Sequence, residues 1–204
     1  MKTKQLFSLP PQNISGHSVD HDRADFDYYA TPFYATEAIL DRVSLGDDII
    51  LEPSSGEGHI VKVLKERYPN NTIIANDIIS RDSRLGIAVN GGVDFLQYTP
   101  DVKINSIITN PPFSLAKEFI EKAISIADHY VLMLCKIQLL EGIDRKKLFD
   151  KHPPKYVYVF SKRVSTLRNG DEFDPNGKQW ATTMCLAWYV FEVGYTGETI
   201  IRWI

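Results

Sequence analysis

The sequence predicts an α/β protein in which a mostly parallel sheet carries helices on both faces. Three observations predict it. Short apolar runs alternate along the chain with segments of helical period. Two of those runs, 48–52 and 104–109, stop abruptly at Glu52-Pro-Ser-Ser-Gly-Glu-Gly58 and at Asn110-Pro-Pro-Phe113. Finally, 204 residues with 44% apolar content suit one well-packed domain rather than two.

The elements follow in order. Residues 1–25 are polar, carry Pro10, Pro11, Asn13, Ser15 and Gly16, and read as a flexible tail, leaving 26–204 as a single domain. His17, Asp20, His21 and Asp22 are metal-binding types, but on such a tail they read as solvated, and no metal site is predicted. Residues 48–52 read as a strand ending at Pro53, and 59–67 as a helix with Ile60, Val61, Val63 and Leu64 on its apolar side. A second strand is expected over 71–77 and a short third over 93–96. Further strands are expected at 104–109, 129–135, 155–160 and 183–192. Helices are expected at 114–127, capped by Ser114, and at 145–151. Two polar stretches, 138–145 and 161–179, interrupt the alternation. The second is long for a compact domain, and loops of that length are usually functional.

Charge and composition bound the function. The formal net charge is -3, so a nucleic-acid partner would have to meet a local basic patch or a second protein. Cys135 and Cys185 sit in apolar runs and read as buried, reduced thiols. No apolar run is long enough to cross a bilayer, and the basic start is not followed by a signal-peptide core. A cytoplasmic protein without a membrane partner is expected, and no feature sets an oligomeric state.

The glycine loop lies between a strand and a helix, where ligands bind in open parallel sheets. A dinucleotide fingerprint would need a third glycine where Val61 stands, and Glu57 would repel a pyrophosphate. A ligand with sulfonium and ammonium groups, such as S-adenosylmethionine, suits an acidic loop better. Asp77 closes the next strand roughly 20 residues on, the spacing of a carboxylate that accepts from ribose hydroxyls. Asp94 could accept from an adenine amino group, with Phe95 or Ile78 against the ring.

The Asn110–Phe113 tetrapeptide carries its own chemistry. Two prolines stiffen the turn and remove two N–H groups, leaving the Pro111 carbonyl free to accept. An exocyclic amine on a ring is a poor nucleophile because its lone pair is delocalised. Two acceptors, the Asn110 side-chain oxygen and the Pro111 carbonyl, can hold both amino hydrogens and turn that lone pair toward a methyl donor. Phe113 supplies a face for a planar substrate.

These residues resemble the Asn/Asp-Pro-Pro-Tyr/Phe class of amino-methyltransferases over about residues 26–192. Tyr28-Tyr29-Ala30-Thr31-Pro32 with an amphipathic helix from Thr36 is similar to the class's N-terminal cofactor motif. The resemblance implies a seven-stranded Rossmann-like methyltransferase fold. It implies S-adenosylmethionine bound by Tyr29, Thr31, Pro32, Glu52, Pro53, Ser54, Gly56, Gly58, Asp77, Ile78, Asp94 and Phe95. Catalysis would fall to Asn110, Pro111, Pro112 and Phe113, and the motif order points to N6 of adenine in DNA. Leu140-Glu-Gly, Arg145, Ser161-Lys-Arg-Val and Ala187-Trp-Tyr-Val-Phe191 are similar to small phage- and prophage-encoded enzymes.

The class usually carries a separate target-recognition domain, for which 26–204 leaves no room. Base reading would then fall to the 161–179 loop, where Lys162, Arg163, Arg168 and Lys178 could meet phosphates and Asn169, Asn176 and Gln179 base edges. A target in duplex DNA would have to flip out. An RNA or protein-glutamine substrate and a catalytically silent cofactor-binding subunit remain as alternatives, with a dinucleotide oxidoreductase a distant third.

Overall fold

A computed structural model describes residues 29–46, 48–165, 167–168, 173, 176–177 and 184–204. The expected tail at 1–25, its metal-binding residue types, and Tyr28, Asn169, Lys178 and Gln179 lie outside the described residues.

The chain runs β1 (Tyr29–Ala30), α1 (Phe33–Leu40), β2 (Ile50–Glu52), α2 (His59–Arg67), β3 (Ile73–Ala75) and β4 (Ile104–Thr109). It continues α3 (Ala116–Ile126), β5 (Ala127–Lys136), α4 (Ile143–Lys151), β6 (Tyr156–Val159), β7 (Leu167–Arg168), β8 (Leu186–Glu192) and β9 (Ile200–Trp203). Seven strands form one sheet in the order β3-β2-β4-β5-β8-β6-β9. Only β8 runs against its neighbours; the other pairings are parallel.

The central strands are buried on both faces, and their side chains alternate between two cores. Val131, Met133 and Cys135 of β5 pack with Phe119 and Ile120 of α3. Leu132 and Leu134 join Ile39 of α1 and Leu64 of α2 on the opposite face. Trp188 is fully buried and its indole N–H donates to the Ala35 carbonyl at 2.8 Å, which fastens α1 to β8. The expected mostly parallel seven-stranded sheet with helices on both faces is present.

Five local expectations need correction. Residues 93–96 are not a strand: the chain turns there, and Phe95 is buried against Phe119 at a ring distance of 5.0 Å. The seventh strand is β9, added beside β6, and beyond β3 only an isolated bridge joins Asn76 to Asn90. Ser114 does not cap α3; it sits in a 3-10 turn, Phe113–Leu115, and α3 begins at Ala116. The rigid Pro111-Pro112 pair sets this, since the Leu115 N–H is taken by the Pro112 carbonyl. Helix α1 begins at Phe33 rather than Thr36, because Pro32 already holds φ at -59° and opens the turn. Finally, the polar stretch 138–145 is not a plain loop: Ile137–Leu140 form a 3-10 turn and α4 starts at Ile143. No helix among the described residues is long and apolar enough to cross a membrane.

Candidate active site

The chain leaves β2 in one direction to form β3 and returns on the other side of β2 to form β4. Loops leaving the carboxyl ends of β2 and β4 therefore diverge and open a crevice, the place where open α/β sheets bind ligands. The crevice is lined by Glu52 and Ser54 after β2, Asp77, Ile78, Ile79 and Arg81 after β3, and Asn110 and Pro112 after β4. Tyr29, Ala30 and Thr31 close it from the side of β1, and His59 and Ile60 from the start of α2.

The glycine loop is braced by its own neighbourhood. The Asp77 carboxylate accepts from the Gly56 N–H at 2.7 Å and from the Ile79 N–H at 2.8 Å. Arg81 adds an ion pair at 3.2 Å. Asp77 thus acts as a staple between the two loops, with one of roughly four acceptor positions left over. Gly58 holds φ at +89°, and a Cβ there would lie 2.6 Å from Ile87, so only glycine fits.

Two acids of the loop have separate fates. Glu57, read from sequence as the charge facing the ligand, does not line the crevice. It is held by the Arg84 guanidinium, with Nε to Oε2 at 3.0 Å and a second N–H to Oε1 at 3.2 Å. Of the two, Glu52 is the acid that lines the crevice. It is fully buried, its Oε1 accepts a long bond from the Ser54 N–H at 3.3 Å, the Thr109 hydroxyl lies beside it, and no cation pairs with it among the described residues. Burial pushes its carboxyl up to about 8, with the Asp77 charge adding to this and the Thr109 hydroxyl and Ser54 N–H opposing it.

Polar atoms on the wall lack partners among the described residues: the Thr31 hydroxyl and His59 Nδ1, both on buried side chains. The His59 ring stacks on Phe33 at 5.5 Å, and burial holds its imidazole below its ordinary pKa. A buried carboxylate without a cation, and a hydroxyl and an imidazole with unmet hydrogen bonds, form a wall that suits a zwitterionic ligand end. His59, Ser55, Arg81, Ile60 and Ile79 were not expected from sequence. His59 stands where helix periodicity gives no functional signal, and the Asp77–Arg81 spacing alone is common.

The tetrapeptide is held differently. Asn110 Nδ2 donates to the Tyr29 carbonyl at 2.8 Å. Pro111 is buried, and Phe113 is half-buried, with its ring 6.2 Å from that of Tyr29 and inclined by 24°. Lys136, at the end of β5, places Nζ 4.6 Å from the centre of the Phe113 ring. β1 is in turn paired antiparallel with β7, Tyr29 opposite Arg168 and Ala30 opposite Leu167. Part of the long 161–179 stretch therefore reaches the site through backbone pairing.

Other expected site residues lie off the crevice. Pro32, Pro53, Gly56, Gly58 and Pro111 are buried without lining it, and Phe113 lies beside it. Asp94 is exposed and accepts from the Leu96 N–H, while Phe95 belongs to the core. Lys162 and Arg163 are exposed.

No protein-family model matches the chain, and no curated protein matches it in sequence. Solved structures do match its fold. A methyltransferase subunit of the type I restriction-modification system of Streptococcus thermophilus aligns with a TM-score of 0.60 at 11% identity, over 85% of this chain and 47% of that one. A Pyrococcus horikoshii protein described as an RNA methyltransferase aligns with a TM-score of 0.60 at 12% identity, over 85% and 91%. A Thermotoga maritima S-adenosylmethionine-dependent O-methyltransferase aligns with a TM-score of 0.51 at 11% identity, over 81% and 67%. The fold is that of the class I S-adenosylmethionine-dependent methyltransferases. The chain spans about half the length of the restriction-modification subunit it matches. These neighbours differ in what they methylate, so the fold fixes no substrate.

Proposed function

We propose that this chain transfers a methyl group from S-adenosylmethionine to an exocyclic amino nitrogen, and that the nitrogen is N6 of adenine in DNA. The observation that carries the reading is that Asn110 and Pro112 of the Asn110-Pro-Pro-Phe113 turn line the switch-point crevice, with the Phe113 ring held beside it against Tyr29.

The crevice fits such a cofactor. Glu52, without a cationic partner among the described residues, suits a positive ligand, and His59 and Thr31 can meet its amino-acid end. Asp77 and Ile78 line the part of the wall suited to a ribose and a ring. When bound, S-adenosylmethionine would supply a sulfonium-borne methyl to the amino nitrogen and leave as S-adenosylhomocysteine, the methylated nitrogen losing a proton to solvent. The protein's part is positioning and charge stabilisation. With Nδ2 bonded to the Tyr29 carbonyl, the Asn110 Oδ1 is the atom left to accept one amino hydrogen. The Pro111 carbonyl accepts the other. Both acceptors strengthen their bonds as positive charge grows on nitrogen. Phe113 and the walls of the crevice limit the rotations open to a planar substrate.

DNA is favoured by the tetrapeptide and by the restriction-modification neighbour, with Lys162, Arg163, Arg168 and Lys178 as the phosphate-facing set and a partner subunit as a further source of recognition. RNA is the second reading, favoured by the Pyrococcus horikoshii neighbour, 91% of which this chain covers. The deciding experiment incubates the purified protein with labelled S-adenosylmethionine and either unmethylated genomic DNA or total RNA, then identifies methylated nucleosides by mass spectrometry. N6-methyladenine from DNA, absent with Asn110→Ala, supports the proposal. Label only in RNA moves the substrate. Cofactor binding without transfer to either points to a protein substrate or a silent subunit.

A further inference from the structure

We propose that the Tyr29 backbone carbonyl is a positioning group that fixes which end of the Asn110 amide faces the substrate, and so makes Asn110 irreplaceable by aspartate at neutral pH. The inference rests on the amino-methyltransferase reading above and deepens it.

An asparagine side chain can present either its oxygen or its NH2 to a ligand, and the two orientations differ little in shape. Only the oxygen can accept an amino hydrogen. A turned amide would aim two N–H donors at the substrate's own N–H groups and repel it. Something must therefore hold the amide one way. In this chain it is the Tyr29 carbonyl, 2.8 Å from Nδ2 and 81 residues away in sequence. A backbone carbonyl cannot donate, so it accepts from nitrogen alone and excludes the turned state. Tyr29 is itself held by the pairing of β1 with β7 and by its ring contact with Phe113.

Aspartate offers an acceptor of the same reach, and a requirement for acceptance alone would tolerate it. Here its second oxygen would face the Tyr29 carbonyl with no hydrogen between them. The repulsion would turn the carboxylate away or keep it protonated. Protonated aspartic acid copies asparagine: its O–H donates to Tyr29 and its other oxygen accepts from the substrate. The active form of Asn110→Asp is then the acid, so its activity increases as pH falls, opposite to what an acceptor of growing positive charge would favour.

The test measures kcat for wild type, Asn110→Asp and Asn110→Ala between pH 5.5 and 8.5, with S-adenosylhomocysteine binding as the check on folding. The expected result is a loss of about 100-fold or more for Asn110→Asp at pH 8, comparable to removing one oxyanion-hole partner, recovered at least tenfold relative to wild type at pH 5.5. The Asn110→Ala ratio to wild type stays flat. An Asn110→Asp enzyme within a few-fold of wild type at pH 8, or with a ratio unchanged by pH, overturns the inference. If wild type itself methylates no nucleic acid, the substrate reading falls and the orientation is tested by NMR. With 15N-asparagine and 13C-carbonyl tyrosine labelling, a slowly exchanging Asn110 Nδ2 proton coupled to the Tyr29 carbonyl supports it. Exchange at the rate of an exposed side-chain amide overturns it.

Discussion

Two loops face each other across the crevice, and they are secured in opposite ways. The glycine loop after β2 is braced within its own surroundings: Asp77, at the end of the adjacent strand, accepts from Gly56, and Gly58 fits only because it has no side chain. The tetrapeptide after β4 is stiff in its backbone, yet the orientation of its functional amide comes from Tyr29, on a strand that is remote in sequence and paired with the long loop. One wall is thus closed by a bond between residues 21 apart in the chain and the other by a bond between residues 81 apart. Damage to the first should weaken cofactor binding, and damage to the second should slow transfer with the cofactor still bound.

The strongest way to break that contrast is Asn110→Ala. Removing one of two acceptors should lower kcat by about 100- to 1000-fold, with S-adenosylhomocysteine affinity held within about threefold. A large loss of affinity instead would mean that Asn110 belongs to the cofactor wall. Gly58→Ala tests the other side. Its Cβ would meet Ile87 at 2.6 Å in a left-handed backbone, so calorimetry should show a loss of about 2 kcal/mol in stability and weaker cofactor binding. An unchanged melting curve would remove the argument for a braced loop.

Glu52→Gln sharpens the contrast at the level of charge. S-adenosylmethionine carries a sulfonium cation and S-adenosylhomocysteine does not. The substitution should therefore lower the preference for the former by about tenfold, of the order of one close charge pair. Direction with pH follows from the same group. Its carboxyl lies near 8 in the folded protein against 4.5 in an unfolded chain, so the folded state binds the extra proton between those values. Stability of the free protein should fall as pH rises from about 4.5 to 8, and Glu52→Gln should abolish that slope in thermal melts. A cationic ligand favours the ionised form, so binding near pH 7 should release a proton, visible as a buffer-dependent enthalpy. The smallest effect is expected for Arg84→Ala. It removes the Arg84 partner of Glu57 outside the crevice, where the guanidinium is half-exposed and the Glu57 side chain only 12% exposed, and should lower stability by about 1 kcal/mol.

Much of this was legible in the residues. The span of α2 and of β4 follows from apolar period and from the Gly and Pro that bound them. The acid at the end of β3 is also visible in the sequence. Less legible was the choice between Glu52 and Glu57. Both flank the same loop, and only the position of Arg84 shows that one is neutralised outside while the other is buried without a cation. Phe95 illustrates the same difficulty: an aromatic after an acid reads equally as a ring-binding face or as core, and packing on Phe119 made it core.

By itself the sequence determined the fold class, the two loops that bound the crevice and the chemistry their residue types allow. Those depend on short-range backbone rules: glycine where φ is positive, proline where it is fixed, and apolar period where a face is buried. The tertiary structure alone decided which strand completes the sheet, which acid lines the crevice and which way the Asn110 amide points. Each is settled by a partner far along the chain, β6 for β9, Arg84 for Glu57 and Tyr29 for Asn110. Contacts of that kind are set by how the layers close on one another, which no local pattern of residues records.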